Sequence, residues 1–391
     1  MQRSIPAMFF RGGTSRGPFF LESDLPRDTA TRDRVLLAVM GSPDPRQIDG
    51  LGGAHPLTRK VGIVRKGTEP VDLDFLFAQL QPDRDTVDTT ANCGNMLAAV
   101  VPFALERGLI RAQGDETTVR VLTRNTGMQC EITVETPVTS EGRRVSYAGD
   151  ARIDGVPGGS APIAINFLDT AGSVCKSLLP TGHVRDRVHV DPPTGARFKP
   201  LDIDVTCIDN GMPLVLFRAA DVGRTALETP AQLNADDDLK ARVEALRLRT
   251  GEMMGLGDVT PRNYPKMTLV SAPHAGGAIN TRCFIPHVCH QAIGVLASVT
   301  VGTACLLEGS VPHELAKLPP GPRKRISIEH PSGEFTVELE LDPKDPQRVA
   351  RAALLRTARL IMRGEVMVPD AVWPQARTGD AAAKGASRHA A

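Results

Sequence analysis

Two uncharged runs, Met96 to Leu105 and Gln291 to Leu307, constrain this 391-residue chain more than any other feature. Each is long enough for about three helical turns or more, and a helix apolar on every side has to be enclosed by other structure. Each also follows a polar turn and a cysteine. Asp88-Thr89-Thr90-Ala91-Asn92-Cys93 leads into the first run, and Pro286-His287-Val288-Cys289-His290 into the second. This echo predicts two halves of similar plan, each with a buried central helix, although it is not a short tandem repeat. Pro102 falls inside the first run and should bend its helix. The second run approaches the roughly 18 residues of a membrane span, but its Gly, Ser and Thr content and polar flanks fit a buried helix of a soluble protein better.

Around these runs the chain reads mostly as strands. Ile5 to Phe10, Pro18 to Leu21, Leu57 to Val64, Val71 to Leu80, Thr117 to Leu122 and Gln129 to Thr136 have apolar or alternating patterns in the first half. Ala161 to Phe167, Ile203 to Ile208, Leu214 to Phe217, Lys266 to Ser271, Ile279 to Ile285, Ile326 to Glu329, Phe335 to Leu341 and Arg356 to Val368 continue them. Thr29 to Met40 and Asn234 to Leu248 read as helices. Few helices separate the strands, which argues for an α+β fold over the βαβ alternation of a Rossmann domain. Leu178 to Pro200, rich in Pro, Gly and Arg, reads as a linker. The expected organisation is therefore a first domain over residues 1–185, completed by a closing strand near 352–377, and a second over 186–351. Residues 378–391 are small, polar and low in complexity, which predicts a disordered tail.

Composition narrows the function classes. A net charge of +1 and the lack of a basic run with interleaved aromatics argue against nucleic-acid binding. The first ten residues do not form a signal peptide. Seven cysteines spread singly, without CxxC pairs, indicate neither a disulfide framework nor a zinc cluster and favour a reducing cytoplasm. His287, Cys289 and His290 lack a fourth ligand, so no metal is expected.

Three polar loops and two reactive side chains remain as site candidates. Arg11-Gly12-Gly13-Thr14-Ser15 ends the first strand with glycines that allow close backbone approach and with donors for an anion. It lacks the GxxxxGK[ST] pattern, which makes nucleotide binding unlikely. Lys60 lies where the loop Asp49 to His55 feeds an apolar strand, and reads either as a strand-edge gatekeeper or as a base. Cys93 reads either as a buried structural thiol or as a group at a helix N-terminus, where free N–H groups and the positive dipole end favour negative charge. Arg124-Asn125-Thr126-Gly127 forms the third loop.

These segments resemble the bacterial 4-oxalomesaconate tautomerase and 2-methylaconitate cis-trans isomerase family, which shares the diaminopimelate epimerase-like fold. The residues carrying the likeness include Arg11 to Ser15, Met40-Gly41-Ser42-Pro43, Gln47-Ile48-Asp49-Gly50, Gly52-Gly53, Lys60-Val61, Asn92-Cys93-Gly94-Asn95, Asn125-Thr126-Gly127 and Gly211-Met212-Pro213. Phe284-Ile285-Pro286-His287, Cys289-His290 and His330-Pro331-Ser332-Gly333-Glu334-Phe335 add to them. GSPDxRQIDGxGG and PSGEFTVE place the chain nearest the oxalomesaconate branch.

The resemblance implies two similar domains, each a curled strand layer around a central helix, with the active site between them and no cofactor or metal. Lys60 takes the position of the proton-abstracting base and Cys93 that of the second acid/base residue. Substrate anchors are then expected among Arg11, Gly12, Gly13, Thr14, Ser15, Asn92, Gly94, Asn95, Asn125, Thr126, Met212, Arg282, His287, Cys289, His290 and Ser332. The implied partner is a small tricarboxylate, with isomerisation of 4-oxalomesaconate in the breakdown of protocatechuate- or gallate-type aromatics as the activity. The alternative is 2-methylaconitate in propionate catabolism. A homodimer is compatible with the likeness. Arg59 departs from the pattern, since relatives commonly have serine before the lysine. A rival reading is an amino-acid epimerase with Cys93 and Cys289 as opposed thiols; another is a tricarboxylate-binding protein without catalysis.

Overall fold

The structure is a computed structural model that describes residues 1–81, 83–90, 92–192 and 198–374. The expected disordered tail over 378–391 lies outside the described residues. The chain divides into two compact units. One holds Met1–Met128, Val134–Tyr147 and the described residues from Ala358 on, the other Gln129–Thr133 and Ala148–Thr357. The sequence drew this boundary at residue 185. The stretch read as a linker instead contributes strand Asp186–Val190, which pairs with its neighbour through Val188 and Val190, both buried.

In the first unit, β1 (Gln2–Gly12) turns through Gly13 and Thr14 into antiparallel β2 (Ser15–Leu21). Helix α1 (Thr29–Met40) crosses over to β3 (Lys60–Lys66), which lies parallel to β2 and antiparallel to β4 (Leu73–Leu80). Two short helices, α2 (Gly94–Leu97) and α3 (Val100–Glu106), lead to β5 (Glu116–Thr123), parallel to β4. The last strand among the described residues, Ala358–Pro369, pairs antiparallel with β1 along its length. Asp28 caps α1 by accepting from the Thr31 amide, and Gly41 ends it at φ 75°, a left-handed value that glycine adopts without cost.

Strand alternation sorts this sheet into two faces. Ile5, Ala7, Phe20, Val61, Ile63, Ala78 and Leu80 pack with Val35, Leu36, Val39 and Met40 of α1. Phe10, Phe19 and Phe75 point to the opposite face, where Phe103 of α3 meets Phe10 and Phe19 at ring separations of 6.4 and 5.7 Å. The central helix is therefore present but broken. Pro102 has no N–H to give the carbonyl of Ala98, and the helix parts at Ala98 and Ala99, leaving segments of four and seven residues.

The second unit repeats the order. Leading strand β6 (Asp186–Val190) is antiparallel to β7 (Leu201–Asp209), which is antiparallel to β8 (Pro213–Arg218). Helix α4 (Asp237–Met253) crosses to β9 (Lys266–Ser271), parallel to β8 and antiparallel to β10 (Ile279–Phe284). Helix α5 (Val295–Leu306) leads to β11 (Arg323–His330), parallel to β10, and β12 (Gly333–Asp342) and β13 (Asp345–Arg356) follow antiparallel. Both units thus alternate antiparallel and parallel neighbours, with a helix in each parallel crossover. Helical crossovers were not read from the sequence, because the strands between them pair as hairpins and hide the βαβ spacing. Residues Ala297 to Leu306 of α5 are all buried. Its polar members are satisfied inside: the Thr300 hydroxyl donates to the Asn210 carbonyl at 2.9 Å and Asn210 donates to the Thr303 hydroxyl at 2.8 Å.

The second helix is shorter than its run. It begins at Val295 with Gly294 as N-cap, and residues 291 and 292 form a bend before it. Cys289, expected at the helix entrance, sits six positions before Val295 in a bridge to Phe284.

Candidate active site

Lys60 opens β3, and β3 lies between β2 and β4, so it is not a gatekeeper on an edge strand. Its side chain is buried, at 9% exposure. The Nζ donates to Gln79 Oε1 at 2.6 Å and lies 4.9 Å from the Phe77 ring centroid. Gln79 faces Lys60 in register and is itself held, its Nε2 donating to the Arg59 carbonyl at 3.0 Å. Lys60, Phe77 and Gln79 alternate with residues packed on α1, which puts them on the face that carries the central helix.

Cys93 is the N-cap residue of α2, half-buried on that face. Its carbonyl accepts from the Leu97 amide at 3.0 Å. Because α2 has only one turn before the break, its dipole is that of a few peptide units and weaker than an unbroken run would give. The β1–β2 turn closes onto the same place. A Cβ on Gly12 would strike the Asn95 carbonyl, one on Gly13 the Asn95 side chain, and one on Gly17 the Lys60 carbonyl, with Met96 Cε 3.5 Å away. These glycines therefore let the hairpin approach α2 and β3. Asn95 completes the closure, its Nδ2 donating to Thr14 Oγ1 at 2.9 Å and lying 3.5 Å from Ser15 Oγ.

Asn125 has a different task from the one expected. Its Oδ1 accepts from the Phe77 amide at 2.9 Å, and its Nδ2 donates to the carbonyls of Phe77 at 2.8 Å and Thr89 at 2.7 Å. A side chain so engaged ties the strand under Lys60 to the segment that presents Cys93. Asn92 Nδ2 donates to Thr126 Oγ1 at 2.5 Å, while its buried Oδ1 has no hydrogen-bond partner among the described residues. Arg11 is the clear exception. It stands opposite Arg16 and Arg359, with Arg16 and Phe20 alternating away from Gly17 and Phe19, so strand alternation sends it to the α1 face. The guanidinium turns back to the Gly13 carbonyl at 2.9 Å, and burial together with Arg359 lowers its pKa.

The second-unit candidates do not all gather. Arg282 is buried in β10 and donates to the Glu228 carbonyl at 2.9 Å, Asn280 Oδ1 at 3.0 Å and the Thr281 carbonyl at 2.8 Å. Its charge is felt by His330, as are those of His290 and Asp154. Ser332 is exposed nearby, donating to the Gln291 carbonyl at 2.6 Å and lying 3.4 Å from His330 Nδ1. His290 Nδ1 accepts from the Ala292 amide at 2.9 Å. His287 leaves this group and turns to Glu244 of α4 at 3.4 Å. Met212 contributes its carbonyl to Thr300 at 3.2 Å. Cys289 packs in the apolar core beside Phe284 and Met254, and burial pushes its thiol up to about 12. Cys289 is thus core, at 2% exposure, where Cys93 is half-exposed. Among the described residues, no three His, Cys, Asp or Glu side chains are grouped to hold a metal ion.

Sequence reasoning missed Gln79, Phe77 and His330. Gln79 was detectable as the polar member of an inward-facing alternation after Phe75 and Phe77. His330 belongs to a motif already in view, from which only Ser332 was taken. Burial lowers the His330 pKa to about 4.

A mixed sheet with a lysine and a cysteine against its central helix, followed by a second unit of the same strand order, defines an α+β protein of the diaminopimelate epimerase-like fold. The chain belongs to the PrpF family, whose model, described as PrpF protein, matches residues 2–369. It is 54% identical to the (4E)-oxalomesaconate Delta-isomerase of Novosphingobium sp. (strain KA1), over 93% of this chain and 98% of that protein. It is 52% identical to the 4-oxalomesaconate tautomerase of Pseudomonas putida, over 95% and 98%. A crystal structure of methylitaconate-delta-isomerase superimposes with a TM-score of 0.81 at 34% identity, covering 96% of this chain and 98% of that one.

Proposed function

We propose that this chain is a cofactor-independent isomerase that moves a proton and a double bond in 4-oxalomesaconate. The observation that carries the reading is the buried Lys60 amine, fixed by Gln79 on the sheet face against which the helix capped by Cys93 packs. Identity above one half to two proteins named for oxalomesaconate supports the substrate. Removal of a proton from the methylene beside the ketone leaves its electron pair delocalised over the ketone oxygen and the conjugated carboxylate. Return of a proton at another carbon shifts the double bond, and return at oxygen gives the enol. Lys60 Nζ takes the first proton, and Cys93 assists its return or orients the intermediate. Thr14, Ser15, Asn92, Thr126 and the amides of Gly94 and Asn95 supply donors for carboxylate and developing oxyanion. The reading extends to aromatic-compound breakdown, including lignin-derived acids, and to a cytoplasmic location, which seven free thiols fit.

Proton NMR and ultraviolet spectra of the purified protein with 4-oxalomesaconate test this directly. A catalysed shift of the double bond is expected, with deuterium entering the product in D2O. A spectrum that stays unchanged, or turnover of 2-methylaconitate at higher kcat/KM, would replace the assignment.

A further inference from the structure

Away from Lys60, the first unit carries a half-open cavity of about 610 Å³ that the proposed reaction does not use. Five cations line it, Arg27, Arg32, Arg65, Lys66 and Arg124, with Glu22 the one carboxylate in its wall; Leu21 and Val64 give it apolar surface. Local pairing accounts for three of the five. Arg65 bridges Asp74 at 2.6 Å and Glu22 at 3.0 Å, Arg124 also pairs with Glu22, and Arg32 pairs with Asp33 at 2.8 Å. Burial would raise the Glu22 pKa, but hydrogen bonds from Arg124 and Arg65 hold it below the usual range, so that carboxylate stays ionised. Arg27 and Lys66 remain, both exposed, without an ion-pair partner among the described residues.

The concavity therefore keeps two uncompensated positive charges, in a chain whose whole net charge is +1. A recess lined by one sign of charge with low-dielectric walls concentrates counter-ions of the opposite sign. Its volume suits a small organic molecule. It is also distant from the proton-transfer candidate: Lys66 ends the strand that Lys60 begins, about 20 Å away at strand rise. We propose that this cavity binds a small organic anion with two or three negative charges on oxygen, a di- or tricarboxylate or a phosphate monoester, at a site separate from Lys60.

Calorimetric titration of the full chain with tricarballylate and, in parallel, with glycerol 3-phosphate tests the proposal and distinguishes the two sources of charge. The proteins compared are wild type, Lys60→Met and the double variant Arg27→Ala/Lys66→Ala. Both substituted cations are exposed, so the double variant should fold, with turnover within roughly twofold of wild type. At least one probe should show a binding event shared by wild type and Lys60→Met that is roughly tenfold weaker or absent in the double variant, with affinity falling as salt rises, apart from any binding at the Lys60 site that all three proteins retain. Success with only one probe supports the site and identifies its chemistry. A double variant that matches wild type in stoichiometry and affinity for both probes, or the absence of any binding event with either probe in wild type, overturns it.

Discussion

At the scale of single residues, the chemistry separates cysteines and histidines that look alike in sequence. Cys93 and Cys289 each follow a polar turn, yet one is half-exposed on a helix cap and the other is core. Cys289→Ala should therefore keep turnover within a few-fold of wild type and cost roughly 1 kcal/mol of stability, read from chemical denaturation, as expected for a lost core sulfur. A drop of a hundredfold or more would restore the two-thiol reading. His330 makes a pH prediction. Neutral in the fold down to about pH 4, it lies among Arg282, His290, Asp154 and Glu334. The unfolded chain takes up its proton near the ordinary value of 6.5. Stability from this group is thus present above that value and is lost as pH falls toward 4. After discounting for solvent screening, the loss is about 1–2 kcal/mol, and His330→Asn should remove that part of the pH dependence of the denaturation midpoint. The sequence led to Lys60 through its motif. It could not supply Gln79 as the amine's partner, because strand register across a hairpin is a tertiary fact.

At the scale of elements, glycine positions carry more of the site than glycine counts suggest. The sequence read the loop after β1 as a backbone prepared for a ligand. The structure instead uses Gly12 and Gly13 to admit Asn95, and Gly17 to admit the Lys60 carbonyl. Gly17→Ala would force β2 from β3 where Lys60 begins, so it should cost about 3 kcal/mol or more and lower turnover with stability. Differential scanning calorimetry paired with the spectroscopic assay would check both; a wild-type melting temperature would contradict the close approach. The loop Gly41 to Ala54 teaches the same lesson. Gln47, which looked like a family signature, is buried and joins Ser42 Oγ at 3.1 Å to the Ala54 amide at 3.0 Å. Its part is to knot the loop. Helix ends were the least legible feature: Pro102 announced a bend, but the break falls four residues earlier, at the carbonyl it leaves without a donor.

At the scale of the whole molecule, the echo between the two uncharged runs was the reliable signal. It reflected a common order of antiparallel and parallel neighbours in the two units, each with a crossover helix feeding the last parallel strand. The unit boundary was not legible, because Pro and Gly between 178 and 200 read as a linker while buried Val188 and Val190 make a strand there. Both candidates for proton transfer belong to the first unit. The decisive comparison is therefore the rate of 4-oxalomesaconate isomerisation by wild type and Lys60→Met, with substrate binding measured on the same samples. Positioned proton transfer contributes about 10²–10⁴-fold, so the variant should lose at least a hundredfold in kcat while still binding substrate. Near wild-type turnover in a folded Lys60→Met protein would contradict the assignment of the base.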